Sequence, residues 1–302
     1  MCEKSSITRR FLKKVFNDVQ MIDGVEKLAG LDLDAVYVTT PIPSHFSVAK
    51  ALYECKVTQN VFVEKTLAWS YEEAKELCDL AHSLGIINMV GYLRRFCVTF
   101  RKAKDLLSRN AVGGVSSFKA FAYSSDFLKT MRGSRAPISR GGVLRDLGCH
   151  AIDLALWFIG ELQVSSAKLK SLTASGAEDS VFFRVKNSSG LEGEFCVSWN
   201  MRNYRMPEVG LSITGSQGVI EVNDDRVELR LNNGKSSILY RHALNDNVPF
   251  WLGLPEYYRE DLHFVKSVLD GSNAEPSFYA ASKVDEIIDQ VERRAGENGQ
   301  PK

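Results

Sequence analysis

Asp34-Ala-Val-Tyr-Val-Thr-Thr40 decides the fold of this 302-residue chain, because a β-branched run that stops at a proline predicts a buried strand. Two more short apolar runs follow it, at 61–63 and 86–92. Apolar residues at helical spacing fill the intervals between the three runs, over 45–55 and 70–84. Strand, helix, strand, helix and strand in this order predict parallel βαβ units.

The second of these helices carries signals for both of its ends. Ser70 is suited to cap its first turn, and Glu73 stands three residues later, as in a capping box. Gly85 is suited to end it, because glycine adopts the left-handed conformation of a helix C-cap. The sequence therefore predicts a helix that begins at 70 and ends at 84.

The pattern changes after Arg101. Helices are predicted at 102–109, within 141–158, at 255–269 and at 278–295, and a strand is predicted at 115–124. Between 164 and 241, strand-like runs are separated by hairpin signals at 187–190, 223–225 and 232–234. We expect an incomplete Rossmann-type α/β domain over 1–97, then an α+β domain over 98–302 with a large, mostly antiparallel open sheet. The final helix, about 278–295, is expected to pack back on the first domain.

Composition excludes several classes of protein. Hydrophobic residues make up 44% and charged residues 25%, which is typical of a globular chain and not of a disordered or fibrous one. Basic and acidic residues balance at 38 and 37, so nucleic acid is not an expected partner. No apolar run is long enough for a membrane span. The six cysteines form no C-x-x-C pair, which favours a reducing cytoplasm.

Two candidate site segments follow predicted strands. Residues 39–45 lie at a carboxyl strand end and open a helix, where open parallel sheets bind ligands. A plain strand-to-helix turn with an incidental His45 explains this segment equally well. Glu64 and Lys65 follow the second strand, where a lysine can place a cation or proton donor beside a substrate oxygen. A solvated ion pair is the alternative for these two residues.

A third candidate is the row Asp146, His150 and Asp153, whose spacing places the three side chains on one face of a helix. A carboxylate and an imidazole one turn apart suit proton transfer near neutral pH. A metal site and a polar face toward solvent are the alternatives, although no fourth ligand with known spacing is present, so no bound metal is expected. Arg94 and Arg95, after the third strand, can clamp an anion or join the two domains through ion pairs.

The order of these motifs resembles the glucose–fructose oxidoreductase / inositol dehydrogenase / MocA (Gfo/Idh/MocA) family. The resemblance runs over nearly the whole chain. The motifs that carry it are Val38-x-Thr40-Pro41-x3-His45, Glu64-Lys65, Gly91-x-x-Arg94-Arg95-Phe96 and Gly141-Gly142-x3-Asp146-x3-His150-x2-Asp153. It implies an NAD(P)-dependent oxidoreductase that acts on a sugar, cyclitol or related polyol.

The resemblance also implies roles for single residues. Lys65, Asp146 and His150 are the implied catalytic residues, with His150 as the acid/base. The implied substrate contacts are Arg95, Asp146 and His150, and the implied cofactor contacts, to NAD or NADP, are Thr40, Pro41, His45, Glu64 and Lys65. A homodimer or homotetramer through the C-terminal sheet is a further implication.

The chain departs from the family pattern in three places. It contains no G-x-G-x-x-G, the turn that brings backbone and a helix N-terminus to the cofactor pyrophosphate. Thr66 replaces the proline that usually follows Glu-Lys in the family. Arg140 replaces the first of the family's three glycines, and its side chain either crowds the substrate or forms a new contact with it. The chain is expected to begin at the end of the second Rossmann strand, with residues 15–17 as the third strand.

These departures leave three alternatives open for the activity. The sequence is a shortened form of a normal enzyme, or the remaining strands are rearranged. The third alternative is a non-catalytic relative that binds a sugar or dinucleotide, regulates, or only assembles.

Overall fold

The computed structural model describes residues 1–128, 138, 140–172, 177–250 and 253–298. Its helices are α1 (Ser6–Val15), α2 (His45–Glu54), α3 (Tyr71–Leu84), α4 (Val98–Ser108), α5 (Cys149–Ile159), α6 (Pro255–Asp270) and α7 (Phe278–Asn298). Its strands are β1 (Val36–Val38), β2 (Asn60–Glu64), β3 (Ile87–Gly91), β4 (Val115–Tyr123), β5 (Gln163–Lys170), β6 (Ser180–Lys186), β7 (Glu192–Ser198), β8 (Glu208–Gly215), β9 (Gly218–Asn223), β10 (Arg226–Leu231) and β11 (Ser236–Tyr240). Within these residues, no helix combines the length and the apolar character that a bilayer span needs.

β1, β2 and β3 form a parallel sheet in that order, as the three apolar runs predict. Val61 and Val63 of β2 are fully buried and share a core with the apolar sides of α2 and α3. On the other face Phe62 packs against Phe264 of α6, with ring centroids 5.6 Å apart. The central strand is therefore covered on both faces, which explains its continuous apolar sequence.

The boundary signals of α3 are confirmed. Ser70 accepts a hydrogen bond from the backbone N–H of Glu73 at 3.3 Å, and the Glu73 carboxylate accepts one from the backbone N–H of Trp69 at 3.1 Å. Gly85 ends the helix with φ +63°, a conformation that costs glycine little. Residue type alone thus fixes this helix at both ends.

The strand predicted at 15–17 is wrong, because α1 continues to Val15. Ser5 caps this helix by accepting from the backbone N–H of Thr8 at 3.2 Å, and apolar residues recur at helical spacing through it. The strand-like pairing lies further on, where Ile22 forms a parallel bridge to Cys2. None of the residues of α1 is buried, and Ile7 and Phe11 are 73% and 65% exposed.

The second sheet has eight strands in the order β11-β10-β9-β8-β4-β7-β6-β5. All neighbours are antiparallel except β4 and β7, which run parallel. The hairpin turns lie where the sequence places them, with positive φ at Gly190 and Gly234. One face is packed by α5 and by aromatic side chains such as Phe183 and Phe195, which stack with centroids 4.3 Å apart. The predicted fold class is confirmed: a Rossmann-like parallel sheet followed by a large, mostly antiparallel one.

The last helix joins the two sheets. On the parallel sheet side, the Asp289 carboxylate of α7 accepts from the backbone N–H of Tyr71 at 2.8 Å, and Asn88 accepts from the backbone N–H of Phe278 at 2.6 Å. On the other side, Gln290 accepts from the backbone N–H of Val164 in β5 at 2.9 Å. These bonds hold α7 against both sheets, and Arg145, in the segment that precedes α5, pairs with Glu292 of α7 at 3.2 Å.

Candidate functional site

The candidate site lies where the carboxyl end of β2 meets the chain that leads into α5. Lys65 follows β2 directly, and Asp146 belongs to a π-helical turn, Leu144–Gly148, ahead of α5. The Lys65 ammonium donates to Asp146 Oδ1 at 3.0 Å and to the Asp146 carbonyl oxygen. The structure thus brings together two predicted site residues that are 81 positions apart in the sequence.

Two glycines allow this approach. Gly141 and Gly142 have φ of +77° and +79°, which L side chains rarely adopt. A Cβ on Gly142 would lie 1.9 Å from a carboxylate oxygen of Glu178, so a side chain there would have to displace that carboxylate. The Glu178 carboxylate in turn accepts from the backbone N–H of Leu144 at 3.2 Å, which holds the start of the π-helical turn.

Lys65 is held as an ammonium ion. Burial lowers the pKa of Lys65, but the charge of the Asp146 carboxylate and its hydrogen bond to the ammonium favour the protonated form, and the pKa lies above its ordinary value. Burial also raises the pKa of the Cys149 thiol to about 12, so this neighbour is neutral at physiological pH. A protonated lysine fixed by a carboxylate is a hydrogen-bond donor for a substrate oxygen.

His150 lies one turn after Asp146 and is 6% exposed. Burial, together with the charges of Arg94 and Lys65, lowers its pKa well below the ordinary value, so the imidazole is neutral at pH 7. Its Nδ1 atom is buried and has no hydrogen-bond partner among the described residues. The ring of Tyr92 meets it edge to face with centroids 6.2 Å apart. A neutral imidazole in this position can accept a proton.

Asp153 takes a different part from Asp146 and His150. It is 1% exposed and accepts three bonds from Arg95, one from Nη2 at 2.6 Å and two from Nε at 3.0 Å, which orients α5 against the turn after β3. The row of three side chains therefore does not converge on one point, and the described residues hold no group of three or more His, Cys, Asp or Glu side chains that could bind a metal ion. Substrate binding by Arg95 stays a prediction, since its partner here is Asp153.

The neighbouring Arg94 was predicted, with Arg95, to clamp an anion or to join the two domains through an ion pair. It is 8% exposed, and its guanidinium donates to Asp224 at 3.0 Å, between the third strand's end and the β9–β10 turn. It is one of the two charges that keep His150 neutral. Tyr92 is a residue that sequence reasoning missed: its hydroxyl is buried without a partner among the described residues. No local signal marks Tyr92, because its position depends on distant packing.

The predicted cofactor residues lie around the ends of β1 and β2. Thr40 and Pro41 are exposed at the end of β1. His45 is 1% exposed, and both ring nitrogens face backbone oxygens, Nδ1 at 2.7 Å from Thr66 and Nε2 at 2.6 Å from Thr40. This imidazole therefore ties the two loops together. Burial raises the pKa of Glu64, whose carboxylate accepts from the backbone N–H of Lys65.

These residues fit the reacting end of a nicotinamide cofactor. The open ends of β1 and β2 lie beside an ammonium donor, Lys65, and an unpartnered imidazole nitrogen of His150, which is the donor and acceptor set that alcohol oxidation needs.

Comparison with known proteins agrees with this geometry. Residues 5–92 match the model of the oxidoreductase family with an NAD-binding Rossmann fold, and residues 100–221 match that of the GFO/IDH/MocA C-terminal domain. An inositol 2-dehydrogenase from Rhizobium meliloti is 24% identical over 275 residues, which cover 86% of this chain and 77% of that protein. A 1,5-anhydro-D-fructose reductase from Ensifer adhaerens is 25% identical over 65% of this chain, and the match spans only 59% of the reductase.

Solved structures share the same fold. A levoglucosan dehydrogenase in complex with NADH and levoglucosan superposes with a TM-score of 0.86 at 21% identity, covering 99% of this chain and 88% of that one. At this identity the likeness shows the fold. The two family models together cover more than half of the chain. The resemblance seen in the sequence motifs is thereby confirmed, and the chain belongs to the Gfo/Idh/MocA family of oxidoreductases.

Proposed function

We propose that this chain is an NAD(P)-dependent oxidoreductase that oxidises a CH–OH group of a sugar, cyclitol or related polyol. The observation that carries the proposal is the joined pair of Lys65 and Asp146, with a neutral His150 one turn later. Relatives named inositol 2-dehydrogenase and levoglucosan dehydrogenase support this substrate class.

In the proposed reaction the chain's own residues position the alcohol and move its proton. The Lys65 ammonium, held by Asp146, donates a hydrogen bond to the substrate oxygen. We assign the hydroxyl proton to His150, because its imidazole is neutral at pH 7. Bound NAD(P)+ supplies the acceptor for the hydride that leaves the carbon. The product is a carbonyl compound, and the reverse reaction uses the same residues.

The cofactor contacts of the proposal are Thr40, Pro41 and Glu64, with His45 as the residue that positions the two loops. Lys65 serves both cofactor and substrate. Two observations support this division of roles. Thr40 and Pro41 are exposed at the end of β1, whereas His45 is buried with both ring nitrogens facing backbone oxygens. Arg95 positions α5 through Asp153, and any contact with substrate is made by its remaining nitrogen.

The proposed assembly is a homodimer or homotetramer through the large sheet. Its packed face is apolar, while the opposite face presents partly exposed aromatic side chains, among them Phe121 and Tyr123, which stack with centroids 5.0 Å apart. A sheet face of this kind is usually covered. Light scattering at micromolar concentration tests the assembly, and a monomer contradicts it.

The proposal also places the domain boundary at 97/98 and the protein in a reducing cytoplasm. Free thiols at all six cysteines support the second point.

The experiment that tests the function follows NADH and NADPH formation with a set of sugars and cyclitols. Saturable formation of a reduced cofactor with one of them, and its loss in Lys65→Ala, is the expected result. Normal rates in Lys65→Ala would contradict the assigned site.

A binding protein without turnover is the second candidate. The observation that favours it is the absence of G-x-G-x-x-G from the sequence, since that turn contacts the cofactor pyrophosphate. This candidate predicts that a sugar or dinucleotide binds and that no reduced cofactor forms.

A further inference from the structure

Arg140 lies beside the reacting residues and shares a carboxylate with one of them. Its Nη1 atom is 3.2 Å from Asp146 Oδ2, while Lys65 Nζ is 3.0 Å from Asp146 Oδ1. One carboxylate thus faces two cations and can compensate only one of them. The ion pair of Asp146 with Lys65 is the less accessible of the two, with 19% of each side chain exposed, whereas 51% of the Arg140 side chain is exposed.

The Arg140 guanidinium is held in place by an aromatic ring. Its Cζ atom lies 5.4 Å from the centroid of the Phe127 ring. This distance is within the 5.1–5.9 Å of other cation–π contacts in the chain. Phe127 is itself 8% exposed and packs on Trp199, with ring centroids 4.5 Å apart. Among the described residues, the guanidinium is bonded through Nη1 alone, to Asp146, and its other nitrogens can bind a second anion there.

Among the described residues, the ion pairs of Arg140 involve one carboxylate, that of Asp146, which Lys65 shares. The neighbouring Arg145 is compensated separately, because its guanidinium lies 3.2 Å from Glu292 and 3.8 Å from Asp289. The half-exposed Arg140 charge is therefore only partly compensated by Asp146 and is accessible to a ligand.

We propose that Arg140 binds a carboxylate of the substrate, so that the site prefers sugar acids, such as uronates or aldonates, over neutral sugars. This inference rests on the proposed function and names its substrate class. The alcohol oxygen lies at Lys65 and His150, and the substrate carboxylate forms a two-point contact with the Arg140 fork. A neutral hydroxymethyl group in that place gains no comparable charge-assisted hydrogen bonds.

Two sugars that differ only at C6, D-glucuronate and D-glucose, test the proposal. Their dissociation constants are measured by calorimetry with NADH present, for the wild-type chain and for Arg140→Gln, Arg140→Lys and Arg109→Gln. Arg109 is the matched control, an exposed arginine that pairs with Asp105 at 2.7 Å on α4, away from the site. We expect the wild-type chain to bind D-glucuronate at least about tenfold more tightly than D-glucose.

Arg140→Gln is expected to bring the two constants to within about threefold of each other, because the charge-assisted contact is lost. Arg140→Lys retains part of the preference, since it keeps the charge without the fork, and Arg109→Gln retains all of it. Equal binding of the two sugars by the wild-type chain would overturn the proposal, as would failure of D-glucuronate to bind at millimolar concentration. An equal loss of affinity for both sugars in Arg140→Gln would show that Arg140 has a structural role only, and this result would also overturn the proposal.

Turnover separates this proposal from the proposed function. Binding of D-glucuronate through Arg140 without formation of NADH would keep the inference and contradict the oxidoreductase. Formation of NADH from D-glucose and not from D-glucuronate would keep the oxidoreductase and overturn the inference.

Discussion

The two sheets of this chain obtain their cores in different ways. In the parallel sheet, β2 is buried on both faces, and Phe62 on one of them is covered by Phe264 from α6, about 200 residues later in the chain. In the large sheet, β4 alternates, with Phe118 buried and Lys119 exposed, and the cluster with Phe195 comes from the sheet's own strands. The parallel sheet therefore depends on a helix of the other unit for one face, while the aromatic cluster of the large sheet comes from its own strands.

The difference explains where the site lies. Lys65 comes from the dependent sheet, and Asp146 and His150 come from the chain that packs on the large one. α7 fixes both sides through Tyr71 and Val164. The contact between Lys65 and Asp146 therefore forms only where the two units are packed together.

The largest expected effect is on catalysis at this contact. His150→Ala and Lys65→Ala each remove a group that holds or moves the proton, so we expect turnover to fall by about 10²–10⁴-fold. Formation of reduced cofactor under saturating substrate is the measurement. His82→Ala, at an exposed position in the last turn of α3, is the control and retains wild-type turnover. Near-normal rates in the two site variants would mean that the junction is not the reaction centre.

The next effect is on the stability of the dependent sheet. Phe264→Ala leaves a cavity against Phe62 and Tyr37, and we expect a loss of about 3–5 kcal/mol in the free energy of unfolding. Hydrogen exchange should accelerate most in β2 and β3 and least in β6 and β7. Phe195→Ala is the matched change in the large sheet, and it should accelerate exchange in both units. An equal loss of hydrogen-exchange protection in both sheets of Phe264→Ala would contradict the dependence of the parallel sheet on α6.

The smallest effect concerns a buried acid of α6. Glu260 is 2% exposed, and its Oε1 has no partner among the described residues. Burial, and then the nearby Glu64 and Asp261, raise the pKa of Glu260 well above its ordinary value. The folded state therefore keeps a proton that the unfolded state releases near pH 4.5, and stability is lost as the pH rises from there toward the folded-state pKa.

Glu260→Gln cannot ionise and escapes this loss. We expect it to raise the Tm by about 2–4 °C at pH 8, the shift that about 1 kcal/mol produces, and to change it much less at pH 4. Thermal unfolding followed by circular dichroism at the two pH values is the measurement. The exposed Glu161→Gln is the control and should shift neither value. A Tm gain that is the same at both pH values would show that the carboxyl of Glu260 is not protonated in the folded state.

Local sequence signals were sufficient for much of this fold. The three parallel strands, the caps of α3 at Ser70 and Gly85, and the turns at Gly190 and Gly234 were predictable, because each depends on a few neighbouring residues. The prediction of a strand at 15–17 was wrong, because it rested on too few neighbouring residues. Three residues are too few to show a period, and the longer helical pattern that ends at Val15 prevails.

The site was predictable as a set of residues and less so as a set of contacts. The motif order indicated Lys65, Asp146 and His150, and the structure joins the first two. The engagement of Arg95 by Asp153 and the burial of Glu260 depend on packing between segments far apart in the chain, which no spacing in the sequence reveals.

The measurement that tests the central claim most directly is a titration of this chain with NADH, followed by energy transfer from its tryptophans to the nicotinamide. If the two units form an oxidoreductase site at their junction, binding saturates at micromolar NADH and the bound cofactor is oxidised when a carbonyl product of the substrate is added. No binding up to millimolar NADH would contradict the claim, and the retained Lys65, Asp146 and His150 would then serve a site that does not use this cofactor.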